Sequence, residues 1–311
     1  MGLFEDKRTW AFLFPGIGVK PFGKECQFYA KYQEIIEPYF DQASKIAGLD
    51  LGKSLLEKTT FDNDQLSREL FAYAFSYASY QVFLRLGLRA DYMVGHSLGV
   101  YAALASSGAI NFDQGLTITE KAHQLGRQCC PSKKFGVVVI IGLSHQEVGE
   151  IVKENGYKTV NLANLNNDCS GVYVGCQQET DNLLAAVDKR GAIKTIRLRI
   201  DTPFHNPLFM EDACRQLQSF LRTLHWQKPS CPIISALDHS LINGVEGLIS
   251  MTSANLAQAI HWPGVLEKLN QLNVNSVIEC GQGVSLTQHA RFIDNTPRHY
   301  NLKNLRRRLN Y

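Results

Sequence analysis

Two textures of hydrophobic and polar positions run along the chain. Residues 9–14, "TWAFLF", form an unbroken apolar run that stops at "PGIG", the length and punctuation of a strand buried on both faces and running into a loop. "DYMVG", ending at Gly95, has the same character. Between them "QLSRELFAYAFSYASYQVFLRLG" repeats Leu, Phe, Tyr and Val at intervals of three and four, which predicts a helix. Strands alternating with helices predict an α/β fold on a doubly wound sheet. From Gly136 to Leu198 the segments "GVVVIIGL", "HQEVGEIVKENG", "KTVNLA", "GVYVG", "ETDNLLAAVDKRG" and "IKTIRL" read as strand, helix, strand, strand, helix, strand. That is the order of a ferredoxin-like split βαβ unit, its central strands joined across the turn-rich "NLNNDCS". Helices then return, followed by the strand "NSVIEC" and the glycine turn "GQG". The expected organisation is a large α/β domain from residues 1–128 and 200–311, with a ferredoxin-like small domain inserted at 129–199.

Composition narrows the function classes. At 311 residues, 45% hydrophobic and 20% charged, the chain reads as a soluble globular protein. A formal net charge of +3, with no aromatic-plus-basic stripe, gives no reason to expect nucleic acid. No run is long enough to span a membrane. Residues 10–19 imitate a short leader behind Lys7 and Arg8, but they hold Pro15 and lack a cleavage site. Gly2 is no myristoylation signal, since Asp6 stands where Ser or Thr is wanted. Eight cysteines without a C-x-x-C pair or zinc spacing read as reduced thiols of a cytoplasmic protein with no metal. The one basic cluster, Lys303 to Arg308, is a solvated terminus or a weak docking point for an acidic partner.

Candidate chemistry centres on "GHSLG", residues 95–99. Ser97 follows a predicted buried strand and precedes the helical "LGVYAALASSG". Strand, tight turn and helix make a nucleophile elbow: the glycines allow the turn and the helix N-terminus favours developing negative charge. Of the histidines, His96 is adjacent, but neighbouring side chains on a turn diverge. His205, in "DTPFHNPLF", is the better base, on a loop that Pro203 and Pro207 would stiffen.

These residues carry a resemblance. "FPGIG" from Phe14, "GHSLG", "ANLNN" from Ala163, "PFHNPLF" from Pro203 and "ECGQGVSL" from Glu279 resemble, in order, motifs of the malonyl-CoA:acyl-carrier-protein acyltransferase family, including the stand-alone acyltransferases and acyl hydrolases of trans-acyltransferase polyketide synthases. The resemblance spans residues 14–286. It implies a large domain like that of the α/β-hydrolases, although a true α/β-hydrolase fits "FPGIG" and the inserted unit badly. It implies Ser97 as nucleophile, His205 as base and then acid, and backbone N–H groups of Ile17 and Leu98 as the oxyanion hole. A backbone carbonyl at Asn255 would orient the imidazole. His96, Ala122, Asn166 and Phe204 would line the substrate pocket, Phe204 limiting branching at the acyl α-carbon. No cofactor is expected to be bound; the acyl group would arrive on the phosphopantetheine of an acyl carrier protein or of CoA, and a monomer is expected.

Three positions depart from the family's pattern: Ile17 stands for glutamine, Val100 for glutamate, and Ala122 for the arginine that pairs with a malonyl carboxylate. Unless Lys121 or Arg127 reaches in, a buried carboxylate there would lack a partner, at a cost of about 3–5 kcal/mol. The expected substrates are therefore uncharged acyl groups, acetyl or longer, on carrier-protein thioesters, with hydrolysis favoured over transfer. The alternatives are a malonyl transacylase and an inactive carrier-protein docking factor.

Overall fold

The computed structural model describes residues 9–17, 23–59, 61, 64–130 and 134–309, with side chains described as far as Leu305. Gly2, Asp6, Lys7 and Arg8, Gly18 of the "PGIG" loop, and the side chains of Arg306 to Arg308 lie outside the described residues. In chain order the strands are β1 (Trp10–Phe14), β2 (Tyr92–Gly95), β3 (Phe135–Ile141), β4 (Asn161–Asn167), β5 (Ser170–Cys176), β6 (Lys194–Leu198), β7 (Ile233–Ile234), β8 (Leu241–Ile242), β9 (Ile260–His261), β10 (Ser276–Glu279) and β11 (Arg298–Tyr300).

The first sheet has the order β11-β10-β1-β2-β7-β8, parallel except for β8. In β1 the side chains divide between two cores: Trp10, Phe12 and Phe14 face one, Ala11 and Leu13 the other. A strand buried on both faces needs no polar alternation, which is why "TWAFLF" is apolar throughout. The predicted helix runs from Gln65 to Arg85, capped by Asp64, whose carboxylate accepts from the Ser67 N–H at 3.1 Å. It packs against the helices Gln33–Ala47, Gly99–Ser106 and Phe112–Cys129, and so is buried over most of its circumference.

The second sheet has the order β6-β3-β5-β4-β9. Its first four strands are antiparallel, in the ferredoxin-like arrangement, and the helices His145–Glu154 and Gln177–Lys189 cover one face through Val148, Ile151, Leu183 and Val187. The other face, with Val137, Val172 and Val174, packs on Phe209 of the helix Pro207–Leu221. The two-residue β9 comes from outside this unit and pairs in parallel with β4, Asn164 opposite Ile260 and Leu165 opposite His261. It thereby ties the second sheet to the body that carries the first. Among the described residues, no helix is long and apolar enough to cross a membrane.

Candidate active site

Ser97 sits at the end of β2 with φ +54°, a conformation that costs an ordinary residue strain and that persists only where the surroundings enforce it. Here they do. A Cβ on Gly95 would overlap the backbone of Val100, and one on Gly99 would overlap the Phe14 carbonyl, so the turn closes only with glycine on both sides. The His96 N–H donates to Phe14 O at 2.8 Å, and the Gly99 N–H to His96 O at 3.0 Å. The helix Gly99–Ser106 starts directly behind the serine.

His205 is buried, also has a positive φ (+64°), and is held from both sides. Its N–H donates to Leu256 O at 2.7 Å. The next residue, Asn206, caps the helix Pro207–Leu221 and donates its amide to Thr159 O at 2.9 Å and Val174 O at 2.8 Å, anchoring the loop to the second sheet. The Ser97 hydroxyl donates to His205 Nε2 at 2.8 Å, while Nδ1 lies 2.9 Å from Gln258 O. A carbonyl only accepts, so the proton is on Nδ1 and the Nε2 lone pair faces the serine. Burial lowers the imidazole pKa to about 4, against the smaller upward pull of the Gln258 carbonyl, and the ring is neutral near pH 7.

The orienting carbonyl therefore belongs to Gln258, correcting the expectation of Asn255. The helix Val245–Ala254 ends at Asn255, and the chain turns once more before entering β9, which brings Gln258 O to the ring. Asn255 acts through its side chain instead, donating to Ser97 O at 3.2 Å, with its Oδ1 buried and without a partner among the described residues.

A cavity of about 30 Å³ opens beside the pair. Ile17, Leu98, Phe204, Asn255 and Leu256 line the end near Ser97 and His205. Glu69, Tyr101, Thr119, Ala122 and His123 complete it. Ala122 is in the wall as expected, and Phe204 packs over Gly126. Among the described lining residues there is no lysine or arginine; Arg127 lines an adjoining open groove of about 670 Å³ that shares His123 with the cavity, and Lys121 lines neither space. The backbone N–H groups of Ile17 and Leu98 have no backbone acceptor among the described residues, and a Cβ on Gly16 would come within 3.4 Å of Ser97 Cβ, so the "PGI" loop rests on the elbow.

Two expected lining residues are elsewhere. The His96 ring turns into the core against Trp262, 5.3 Å between centroids, where burial lowers its pKa to about 3. Asn166 lies in β4, where its amide donates to Ser170 Oγ at 3.5 Å. Sequence reasoning missed Glu69, Tyr101 and His123. Glu69 and His123 are buried and paired, His123 Nδ1 2.9 Å from Glu69 Oε2. Gln65 donates to Glu69 Oε1 at 2.7 Å and to Thr202 Oγ1 at 2.8 Å, and its own carbonyl accepts from the Asp201 N–H, so the pair is linked to the loop that carries Phe204 and His205. Burial, then the Glu69 charge, raises the Tyr101 phenol pKa far above its usual range. The available signal was a carboxylate and an imidazole among the apolar positions of two helices.

A two-sheet α/β chain with a serine and a neutral histidine in contact at the carboxyl end of a parallel strand is equipped for acyl chemistry on an activated carbonyl. The acyl transferase domain family matches residues 42–286, and the chain belongs to that family. It is 26% identical to the malonyl CoA-acyl carrier protein transacylase of Buchnera aphidicola over 92% of this chain and 93% of that one. It is also 26% identical to the transacylase of the same name from Escherichia coli K12, over 89% and 90%. The polyketide biosynthesis protein ThaF of Burkholderia thailandensis matches 91% of this chain at 26% identity, over 24% of its own length. Among solved structures, the malonyl CoA-acyl carrier protein transacylase of Coxiella burnetii superposes with a TM-score of 0.86 at 26% identity, covering 95% of this chain and 94% of that one. A type II polyketide malonyl-transacylase in complex with its acyl carrier protein gives 0.86 at 25%, covering 94% and 95%.

Proposed function

We propose that the protein is an acyl-carrier-protein transacylase that moves a short, uncharged acyl group between phosphopantetheine thiols through an ester on Ser97. The observation that carries the reading is the Ser97–His205–Gln258 chain of contacts beside a cavity that has no lysine or arginine among its described lining residues. His205 Nε2 takes the hydroxyl proton as Ser97 Oγ attacks the thioester carbonyl. The Ile17 and Leu98 N–H groups, with the helix behind them, stabilise the oxyanion. Collapse of the tetrahedral intermediate breaks the C–S bond, and the sulfur leaves with the proton from Nε2. The same steps in reverse, begun by the thiol of a second pantetheine arm, deliver the acyl group to the acceptor and restore Ser97. The retained Ser97–His205 contact argues against an inactive docking factor.

Transfer is favoured over hydrolysis because the relatives that are named for an activity are transacylases. An acyl carrier protein is the expected partner for the same reason. A cavity of about 30 Å³, a few times the roughly 10–15 Å³ that admits one water, suits acetyl or another short group. The names of the relatives favour a second reading, malonyl transfer, against which stand Ala122 and the carboxylate of Glu69. The test is to offer acetyl-, butyryl- and malonyl-CoA separately and follow the Ser97 ester and its transfer to carrier protein by intact-mass spectrometry. Acetyl faster than malonyl, with transfer faster than loss to water, is expected. A dominant malonyl ester would overturn the substrate reading, and an ester lost to water before transfer would restore hydrolysis.

A further inference from the structure

Resting on that reading of an uncharged cargo, we infer that the far wall of the acyl cavity is built to recognise a hydroxyl on a short acyl chain. Glu69, Tyr101 and His123 line this wall, and Asn255 the end nearer Ser97, of a space with room for only a few atoms. Each is at least nine-tenths buried. The Tyr101 hydroxyl makes no hydrogen bond among the described residues, whereas Asn255 Oδ1, also without a partner, is covered and does not open to the cavity. Each Glu69 oxygen receives a single hydrogen bond, from His123 and from Gln65, although a carboxylate oxygen accepts two. The wall therefore offers one free donor and several free acceptors. A plain alkyl chain would displace water from these groups and replace none of its hydrogen bonds, the situation in which a site rejects an analogue lacking the polar group. A hydroxyl can donate to Glu69 and accept from Tyr101.

The same wall disfavours the two charged alternatives. A carboxylate would meet Glu69 with no lysine or arginine among the described lining residues. An ammonium could only donate, leaving the Tyr101 O–H without an acceptor on the cargo, and it would share Glu69 with His123.

Isosteric pairs of thioesters test this. Glycolyl-CoA matches propionyl-CoA atom for atom, and 3-hydroxypropionyl-CoA matches butyryl-CoA, with hydroxyl in place of methyl. Rates of Ser97 ester formation should favour the hydroxyl member of at least one pair by about tenfold or more. Tyr101→Phe and, separately, Glu69→Gln should lower that ratio; because it is taken within one protein, a partly unfolded variant still reports it. Equal rates, or faster alkyl members in both pairs, would overturn the inference, as would a ratio that neither variant moves. A glycyl thioester faster than glycolyl would overturn the choice of hydroxyl over ammonium. Malonyl outrunning all of them would instead overturn the substrate reading beneath it, a result the alkyl and hydroxyl pairs cannot mimic.

Discussion

At the reacting end of the cavity, each polar contact has one defined partner: Ser97 Oγ on His205 Nε2, Nδ1 on the Gln258 carbonyl, Asn255 Nδ2 on Ser97 O. At the far wall the groups come as a buried pair with capacity to spare, Glu69 with His123, beside an unpartnered Tyr101 hydroxyl and a methyl group at Ala122. The first end is set by backbone geometry that side chains can barely change: one glycine-locked turn, a main-chain carbonyl and main-chain N–H groups. The second is made of side chains on three helices, so substitutions there alter the cargo without disturbing the chemistry. Conservation of a mechanism and divergence of a substrate need not compete in such a design.

The largest expected effect lies at the reacting end. Ser97→Ala should abolish the ester, with intact mass unchanged after incubation with any acyl-CoA. His205→Ala should slow its formation by about a hundred- to ten-thousandfold, the usual range for a lost general base. A mass increase on the Ser97→Ala protein would move the nucleophile elsewhere. Next comes the far wall. Ala122→Arg combined with Glu69→Gln installs a guanidinium and removes the opposing carboxylate, so the malonyl-to-acetyl rate ratio should rise by roughly two decades, the scale of a buried carboxylate gaining its partner. No rise would mean that something other than the missing cation governs the cargo.

How much of each end the sequence reveals follows from the same division. Ser97 and His205 are legible because glycine and proline constrain the chain visibly around them, and β1 and β2 because a strand buried on both faces has an unmistakable composition. Glu69 and His123 are not, because a charged residue within a 3–4 periodic helix reads as solvated until the neighbours that bury it are known. Gln258 escapes because a main-chain carbonyl has no residue signature; the turn after the helix Val245–Ala254 decides which carbonyl reaches the ring. β9 escapes because two residues carry no periodicity.

The far-wall pair also makes a stability prediction. His123→Ala would leave Glu69 buried without its imidazole, and the protein should lose about 3 kcal/mol, read as a lower urea midpoint with unchanged slope. Acid should act on both ends. His205, with its folded pKa near 4, is protonated more readily in the unfolded chain, where the usual value is 6.5. Its contribution to stability is complete above pH 6.5 and is lost as pH falls towards 4, each tenfold difference in proton affinity between the folded and unfolded chain being worth about 1.4 kcal/mol. His289 and His299, each near 4, and His96, near 3, act in the same direction, so the urea midpoint should fall steadily from pH 6.5 to 4. A midpoint that holds level across that window would mean that these imidazoles are already charged in the folded protein.

The smallest effect separates Asn255 from Gln258. Asn255→Ala removes one hydrogen bond to Ser97 O, a loss of about 1 kcal/mol, and should slow ester formation several-fold through looser positioning of the elbow. The acidic limb of the pH–rate profile should stay near pH 4, because the Nδ1 proton is held by the Gln258 carbonyl and its setting is unchanged. A clear movement of that limb in Asn255→Ala would show that the side chain, and not only the main chain beyond it, sets the basicity of His205. The reacting end would then be open to side-chain substitution in the same way as the far wall.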